Sequence, residues 1–174
     1  IIKQHDGMVN VYSEVDKGTT FKIYLPVCER KAATVGRLIE GAVVGGTEVI
    51  LIAEDDEAVR DSGTRILERA GYTVHTAKNG EEAVRLFQEH KATIDLVLLD
   101  VVMPVMGGHE AHKQILAIRE DVPTLFTSGY SQNAVHTNFI LHDGVRLIQK
   151  PYSLVALLRA VRATLDDQKK KPEA

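Results

Sequence analysis

From Glu48 to about Leu165 the chain alternates short, almost wholly apolar runs with longer stretches whose apolar residues recur at helical spacing, and this pattern leaves few folds open. The apolar runs are Val49 to Ala53, Tyr72 to Thr76, Ile94 to Leu99, Thr124 to Thr127 and Val145 to Ile148. Strands that lack polar alternation are covered on both faces, which places them in a parallel sheet. Helical patterns lie between them: Val59, Ile66, Leu67 and Ala70; Ala83, Val84 and Phe87; Ile115, Leu116 and Ile118; then Leu154, Leu157, Leu158, Val161 and Leu165. Asp56, Asn79 and Ser153 stand where helix N-caps are wanted. A further helix between Gly129 and Phe139 would have only a thin apolar face. Crossover helices between parallel strands predict an α/β fold with a doubly wound, five-stranded parallel sheet.

The texture before Glu48 is different. Residues 8–13 and 19–25 nearly alternate apolar and polar positions around a turn-rich Glu14 to Gly18, which predicts a β-hairpin closed off by Pro26. Such a hairpin cannot bury its own face and must lean on something else. The expected organisation is a hairpin over 1–27, a glycine-containing linker over 28–47 with a short helical stretch at 33–40, the α/β domain over 48–168, and a polar tail over 169–174. A formal charge of -3 offers no broad basic surface for nucleic acid, and Lys169 to Lys171 reads as a solvated tail. The lone Cys28 cannot form an internal disulfide, and no run reaches membrane-spanning length. Opening at Ile1 with no signal-like segment, the sequence reads as an excerpt of a longer cytoplasmic chain whose membrane anchor, if it has one, lies upstream.

In a sheet of this kind ligands sit outside the C-terminal strand ends. Strand one of the domain runs into Glu54-Asp55-Asp56-Glu57, and strand three ends in Asp100. Asp56 and Glu57 suit a helix start, but Glu54 and Asp55 at the strand lip repel each other unless a cation intervenes. Val101 to Gly108 follows Asp100 as a loop stiffened by Pro104. Carboxylates with no Cys or His partner suit Mg²⁺, which binds oxygen and often sits beside phosphate. Strands four and five end in Thr127-Ser128-Gly129 and in Gln149-Lys150-Pro151. An aspartate nucleophile, a divalent cation, a hydroxyl and a lysine are the parts that phosphoryl transfer to a carboxylate needs. The histidines offer no such set: His109 and His112 share a helix face without a third ligand, and His75, His90, His136 and His142 lack a metal motif.

The segments VILIAEDDEAVR, DLVLLDVVMPVMGG, LFTSGY and LIQKPY, in this order and spacing, resemble the receiver domain of response regulators. That resemblance implies a flavodoxin-like (βα)5 fold, Asp100 as phospho-acceptor, Glu54, Asp55, Asp100 and the backbone oxygen of Val102 around Mg²⁺, Ser128 as switch hydroxyl and Lys150 as the phosphate-pairing lysine. It implies a cis peptide at Lys150-Pro151. The count from Val59-Arg60 puts Asp56 one residue past the metal pair. Leu147 stands where the family usually has a switching aromatic ring, and Val102 and Tyr130 flank the path of the hydrolytic water, which implies a slowly decaying phosphorylated state.

Residues 1–27, IIKQHDGMVNVYSEVDKGTTFKIYLPV, resemble the end of the ATP-binding domain of sensor histidine kinases, with His5 at a helix end rather than as a phosphorylated histidine. The nucleotide-binding elements would lie upstream, so ATP binding by this chain is not expected. The combined order resembles the C-terminus of a hybrid histidine kinase. The implied partner is a histidine kinase phosphohistidine domain or a histidine phosphotransfer protein; a homodimer is compatible with the fold. The alternatives are a degenerate receiver serving only as a docking module, and a phosphatase of haloacid-dehalogenase type, whose acceptor would usually close the first strand.

Overall fold

The computed structural model describes residue 2 and residues 6–27, 45–129 and 146–169. The expected helix at 33–40, Cys28, His5, the thin helix after Gly129, Tyr130 and Lys170 to Lys171 lie outside the described residues. The chain divides into two compact units, Ile1–Leu38 and Ile39–Ala174.

The first unit contains an antiparallel hairpin of β1 (Met8–Glu14) and β2 (Gly18–Tyr24), in register from Met8 opposite Tyr24 to Glu14 opposite Gly18. The chain reverses through left-handed backbone at Asp16 and Gly18, residue types that tolerate it. Strand alternation gathers Val9, Val11, Phe21 and Ile23 on one face, and all four are exposed.

The second unit is built on β3 (Val49–Ala53), β4 (Thr73–Ala77), β5 (Ile94–Asp100), β6 (Thr124–Ser128) and β7 (Arg146–Gln149), in the spatial order β4-β3-β5-β6-β7. All four pairings are parallel. The helices among the described residues are α1 (Glu57–Arg69), α2 (Gly80–His90), α3 (Gly108–Ile118) and α4 (Leu154–Lys169). Successive strand residues point to opposite faces, and the core divides accordingly. Leu51, Ala53, Val97 and Leu99 pack with Phe87 of α2 and Ile115 of α3, while Ile50, Ile52, Leu96 and Leu98 pack with Leu67 of α1 and Leu157 and Val161 of α4. Burial of these side chains on both faces is the main source of the sheet's stability.

Asp56, Asn79 and Ser153 do cap their helices, each side chain accepting a hydrogen bond from backbone N–H two or three residues on. At the other end of α1, Gly71 has φ +99°, and its N–H and that of Tyr72 donate to the oxygens of Glu68 and Leu67. Only glycine adopts that backbone at little cost, and the pair of bonds satisfies the last carbonyls of the helix. Tyr72 is thereby committed to the helix end, so β4 starts at Thr73, one residue later than the apolar run predicts.

Gly63 lies buried in the middle of α1, where a Cβ would stand 3.6 Å from the Tyr152 hydroxyl oxygen and 3.8 Å from Ile52 Cδ1. Those are ordinary contacts. Gly63→Ala is therefore expected to stabilise the unit by roughly 0.5 to 1 kcal/mol, the usual helix-interior difference, read as a higher urea midpoint at unchanged slope.

Candidate functional site

The C-terminal edge of the sheet gathers the polar strand ends. β3 leads into Glu54 and Asp55, β5 terminates at Asp100, β6 at Ser128, and β7 leads into Lys150. Glu54 and Asp100 are buried, at 4% and 7% exposure, whereas Asp55 is exposed. One carboxylate oxygen from each of the three lies within 4.8 Å of the others. Asp56 is turned out of this group, its Oδ1 accepting from the N–H of Ala58 at 2.9 Å and of Val59 at 3.1 Å.

Lys150 binds the cluster together. Its Nζ is 2.9 Å from Asp100 Oδ2 and is ion-paired with Glu54 as well. Its own N–H donates to Ser128 O at 2.7 Å, fastening the end of β7 to the end of β6, and the Lys150–Pro151 peptide is cis. Ser128 and Thr127 are both buried at that strand end. Burial alone would pull the lysine pKa down, but its hydrogen bonds to Glu54 and Asp100 and their charges outweigh that, and it is raised. Burial raises Glu54 above the usual carboxylate value; the lysine bond opposes the shift and the Asp100 charge adds to it.

One lysine shared by two buried acids, with a third acid beside them, leaves excess negative charge. That charge and an all-oxygen donor set fit Mg²⁺. Because the folded value of Glu54 lies above 4.5, the folded state holds a proton that the unfolded state has lost between 4.5 and the raised value. Stability from this group is present below 4.5 and is lost as pH rises through the folded pKa. Without divalent cation, Glu54→Gln should gain on wild type as pH rises through that window, read as the difference between their denaturation midpoints at several pH values.

The loop after Asp100 is tightly drawn. Met106 N–H donates to Pro104 O at 2.7 Å, and between them Val105 is held at φ +67°, a strained conformation for a β-branched residue. Gly108 N–H donates to Val101 O at 3.1 Å, and a Cβ on Gly108 would collide with the Asp100 carbonyl oxygen. Glycine thus lets α3 start against the backbone of Asp100, with Gly107 at its N-cap position and no side-chain cap. Neither this close approach at Gly108 nor the strain at Val105 has a signal in the sequence pattern of the loop.

Val102 is 55% exposed in the same loop. Leu147 is half-buried, pairs in register with Phe126 and packs against the α2 and α3 side of the core. His112, also on that side, is buried with its ring edge-on to Phe126. Beside the acids an open cleft of about 550 Å³ is lined by Val59 and Ser62 of α1 and by Gly129, Lys150, Pro151 and Tyr152. Tyr152 went unassigned in the sequence reading; burial first, then the Glu54 charge, pushes its hydroxyl pKa up.

The profile described as the response regulator receiver domain matches residues 50–162. The chain is 38% identical over 176 residues to the sensor kinase CckA of Brucella abortus (strain 2308), a match covering 97% of this chain and 19% of that kinase. Among solved structures, a CheY-like receiver domain protein from Methanospirillum hungatei JF-1 is 31% identical with a TM-score of 0.64, covering 72% of this chain and 99% of that one. The receiver domain from the hybrid histidine kinase CckA is 34% identical with a TM-score of 0.58, covering 67% of this chain and 98% of that one.

Proposed function

This chain belongs to the response regulator receiver domain family, and on that footing we propose that Asp100 accepts a phosphoryl group from a phosphohistidine in a two-component phosphorelay. The observation that carries the proposal is the Lys150 ammonium paired with both Glu54 and Asp100, with the Asp55 carboxylate beside them. A carboxylate oxygen of Asp100 attacks phosphorus as the bond from phosphorus to the imidazole nitrogen breaks, and the donor histidine leaves neutral after taking up or retaining its proton. Lys150 then pairs with a phosphoryl oxygen, and the Ser128 hydroxyl donates to another. Glu54, Asp55, Asp100 and the Val102 carbonyl would hold Mg²⁺, which when bound supplies positive charge toward the phosphoryl oxygens.

The wider assignment is a piece of a hybrid histidine kinase. It is supported by the match across 97% of this chain to a sensor kinase, and by the hairpin face of Val9, Val11, Phe21 and Ile23, which is exposed among the described residues. We assign 1–27 to the end of the kinase ATP-binding domain, 28–47 to a linker, 48–168 to the receiver and 169–174 to a tail, with the receiver acting on the cytoplasmic side. No helix among the described residues is long and apolar enough to cross a membrane. The phosphohistidine belongs to a histidine kinase domain or to a histidine phosphotransfer protein. Leu147 has no ring to swing, so signalling through that position relies on packing rather than on an aromatic rotamer.

The test is intact mass after incubation with acetyl phosphate, with and without Mg²⁺. One acid-stable, hydroxylamine-labile phosphoryl group that requires Mg²⁺ is expected, and no gain under any divalent cation would sink the proposal. The lifetime of that species is set by Val102 and Tyr130: neither offers an acid to orient water at the acyl phosphate. Val102→Asn with Tyr130→Glu should speed its decay by about tenfold, roughly 1.4 kcal/mol in barrier, measured as loss of phosphoprotein over time. Slower decay in the double variant would overturn that role.

A further inference from the structure

Arg60 lies in α1, in a stretch of sequence that also holds the acids Glu54, Asp55, Asp56, Glu57 and Asp61. A guanidinium so placed has every electrostatic reason to pair with one of them. It does not: among the described residues Arg60 forms no ion pair, and its Nη1 instead donates to the backbone oxygens of Glu54 at 2.7 Å and Asp55 at 3.3 Å. The same short segment is fixed from other sides. Glu54 N–H donates to Ala77 O at 3.1 Å, and Asp56 O accepts the N–H of Arg60 at 2.9 Å. The backbone of the acidic turn is therefore tied to β4 at one end and to α1 at the other, while the carboxylate oxygens of Glu54 and Asp55 remain directed to the cluster with Asp100.

We propose that Arg60 is a positioning residue for the divalent cation: it fixes the carbonyls of the two acid-bearing residues and leaves their carboxylate oxygens available as ligands. This rests on the reading that Glu54, Asp55 and Asp100 take Mg²⁺. Two effects of opposite sign follow from one side chain. Its charge repels an incoming cation, and its hydrogen bonds preorganise the ligands. Salt distinguishes them, because the charge effect is screened over roughly 8 to 10 Å at 0.1 to 0.15 M ionic strength, whereas a hydrogen-bonded geometry is not. Supporting groups of this kind typically change metal affinity by about 10- to 100-fold when removed.

The experiment is calorimetric titration of Mg²⁺ into the 174-residue chain at low and high KCl, for wild type, Arg60→Met, Arg60→Gln and Arg60→Lys, with circular dichroism of each cation-free protein. Arg60→Met should weaken binding by about tenfold at high salt, and by less at low salt, where loss of the repelling charge offsets part of the effect. Arg60→Lys, keeping a charged donor that can reach one carbonyl, should recover part of the loss. Should Arg60→Met fail to fold, Arg60→Gln decides: with a neutral N–H donor it should bind more weakly than wild type. Equal or tighter Mg²⁺ binding at high salt in a folded Met or Gln variant, where the charge effect is screened, overturns the positioning role. A wild type that takes up no Mg²⁺ overturns the reading of the site itself, so the two failures are told apart.

Discussion

Asp100→Asn will take no phosphoryl group from acetyl phosphate at any Mg²⁺ concentration, while wild type is modified once. The substitution is nearly isosteric, but a carboxamide oxygen carries no full charge and cannot form the acyl phosphate, so the expected change is complete loss rather than a fractional slowing. The fold should survive. Asp100 sits at the end of β5, its residue pairing with Thr127 through backbone, and Lys150 keeps its pairing with Glu54. Removing one of three clustered acids also relieves like-charge repulsion, so the cation-free variant should be at least as stable as wild type. Denaturation midpoints measured alongside the mass spectra separate lost chemistry from lost structure. Modification of the folded Asn variant at the wild-type rate would move the acceptor elsewhere, with Asp55 the next acid to test.

The parallel sheet was legible in the sequence because its signal is dense. The central runs, Val49 to Ala53 and Ile94 to Leu99, are nearly polar-free and can be satisfied only by cover on both faces, and the two halves of the core do divide by strand parity, Leu51 and Val97 to one face, Ile50 and Leu96 to the other. The polar strand ends followed from the same frame, since a sheet order of β4-β3-β5-β6-β7 brings the ends of β3 and β5 side by side. What escaped was set by contacts between residues distant along the chain or by backbone shape. Nothing in the neighbourhood of Tyr72 says that its N–H will close α1, and the Arg162 to Glu48 ion pair joins residues at opposite ends of the unit. Nor does a valine after proline announce a left-handed backbone; Val105 departs from the preference of its own side chain in a loop closed on either side of it by the Met106 to Pro104 and Gly108 to Val101 hydrogen bonds. Arg60 escaped for a different reason: a basic residue near acids suggests an ion pair, and its bonds to carbonyls are visible only in three dimensions.

Asp55→Ala and Asp56→Ala, adjacent changes of identical chemistry, are expected to damage different properties. Asp55 offers a carboxylate oxygen to the cluster with Glu54 and Asp100, and its exposure leaves that oxygen open to a hydrated cation that keeps several waters. Its loss should weaken Mg²⁺ binding by about tenfold or more, at least 1.4 kcal/mol, with little effect on cation-free stability. Asp56 spends its Oδ1 on the N–H groups of Ala58 and Val59, so its loss should cost about 1 kcal/mol of stability and leave Mg²⁺ affinity within about twofold. Titration of Mg²⁺ and urea denaturation of both variants give a two-by-two result. Equal losses of affinity, or a larger loss in Asp56→Ala, would mean that the second metal acid is Asp56 and that the helix start must rearrange to free it when the cation binds.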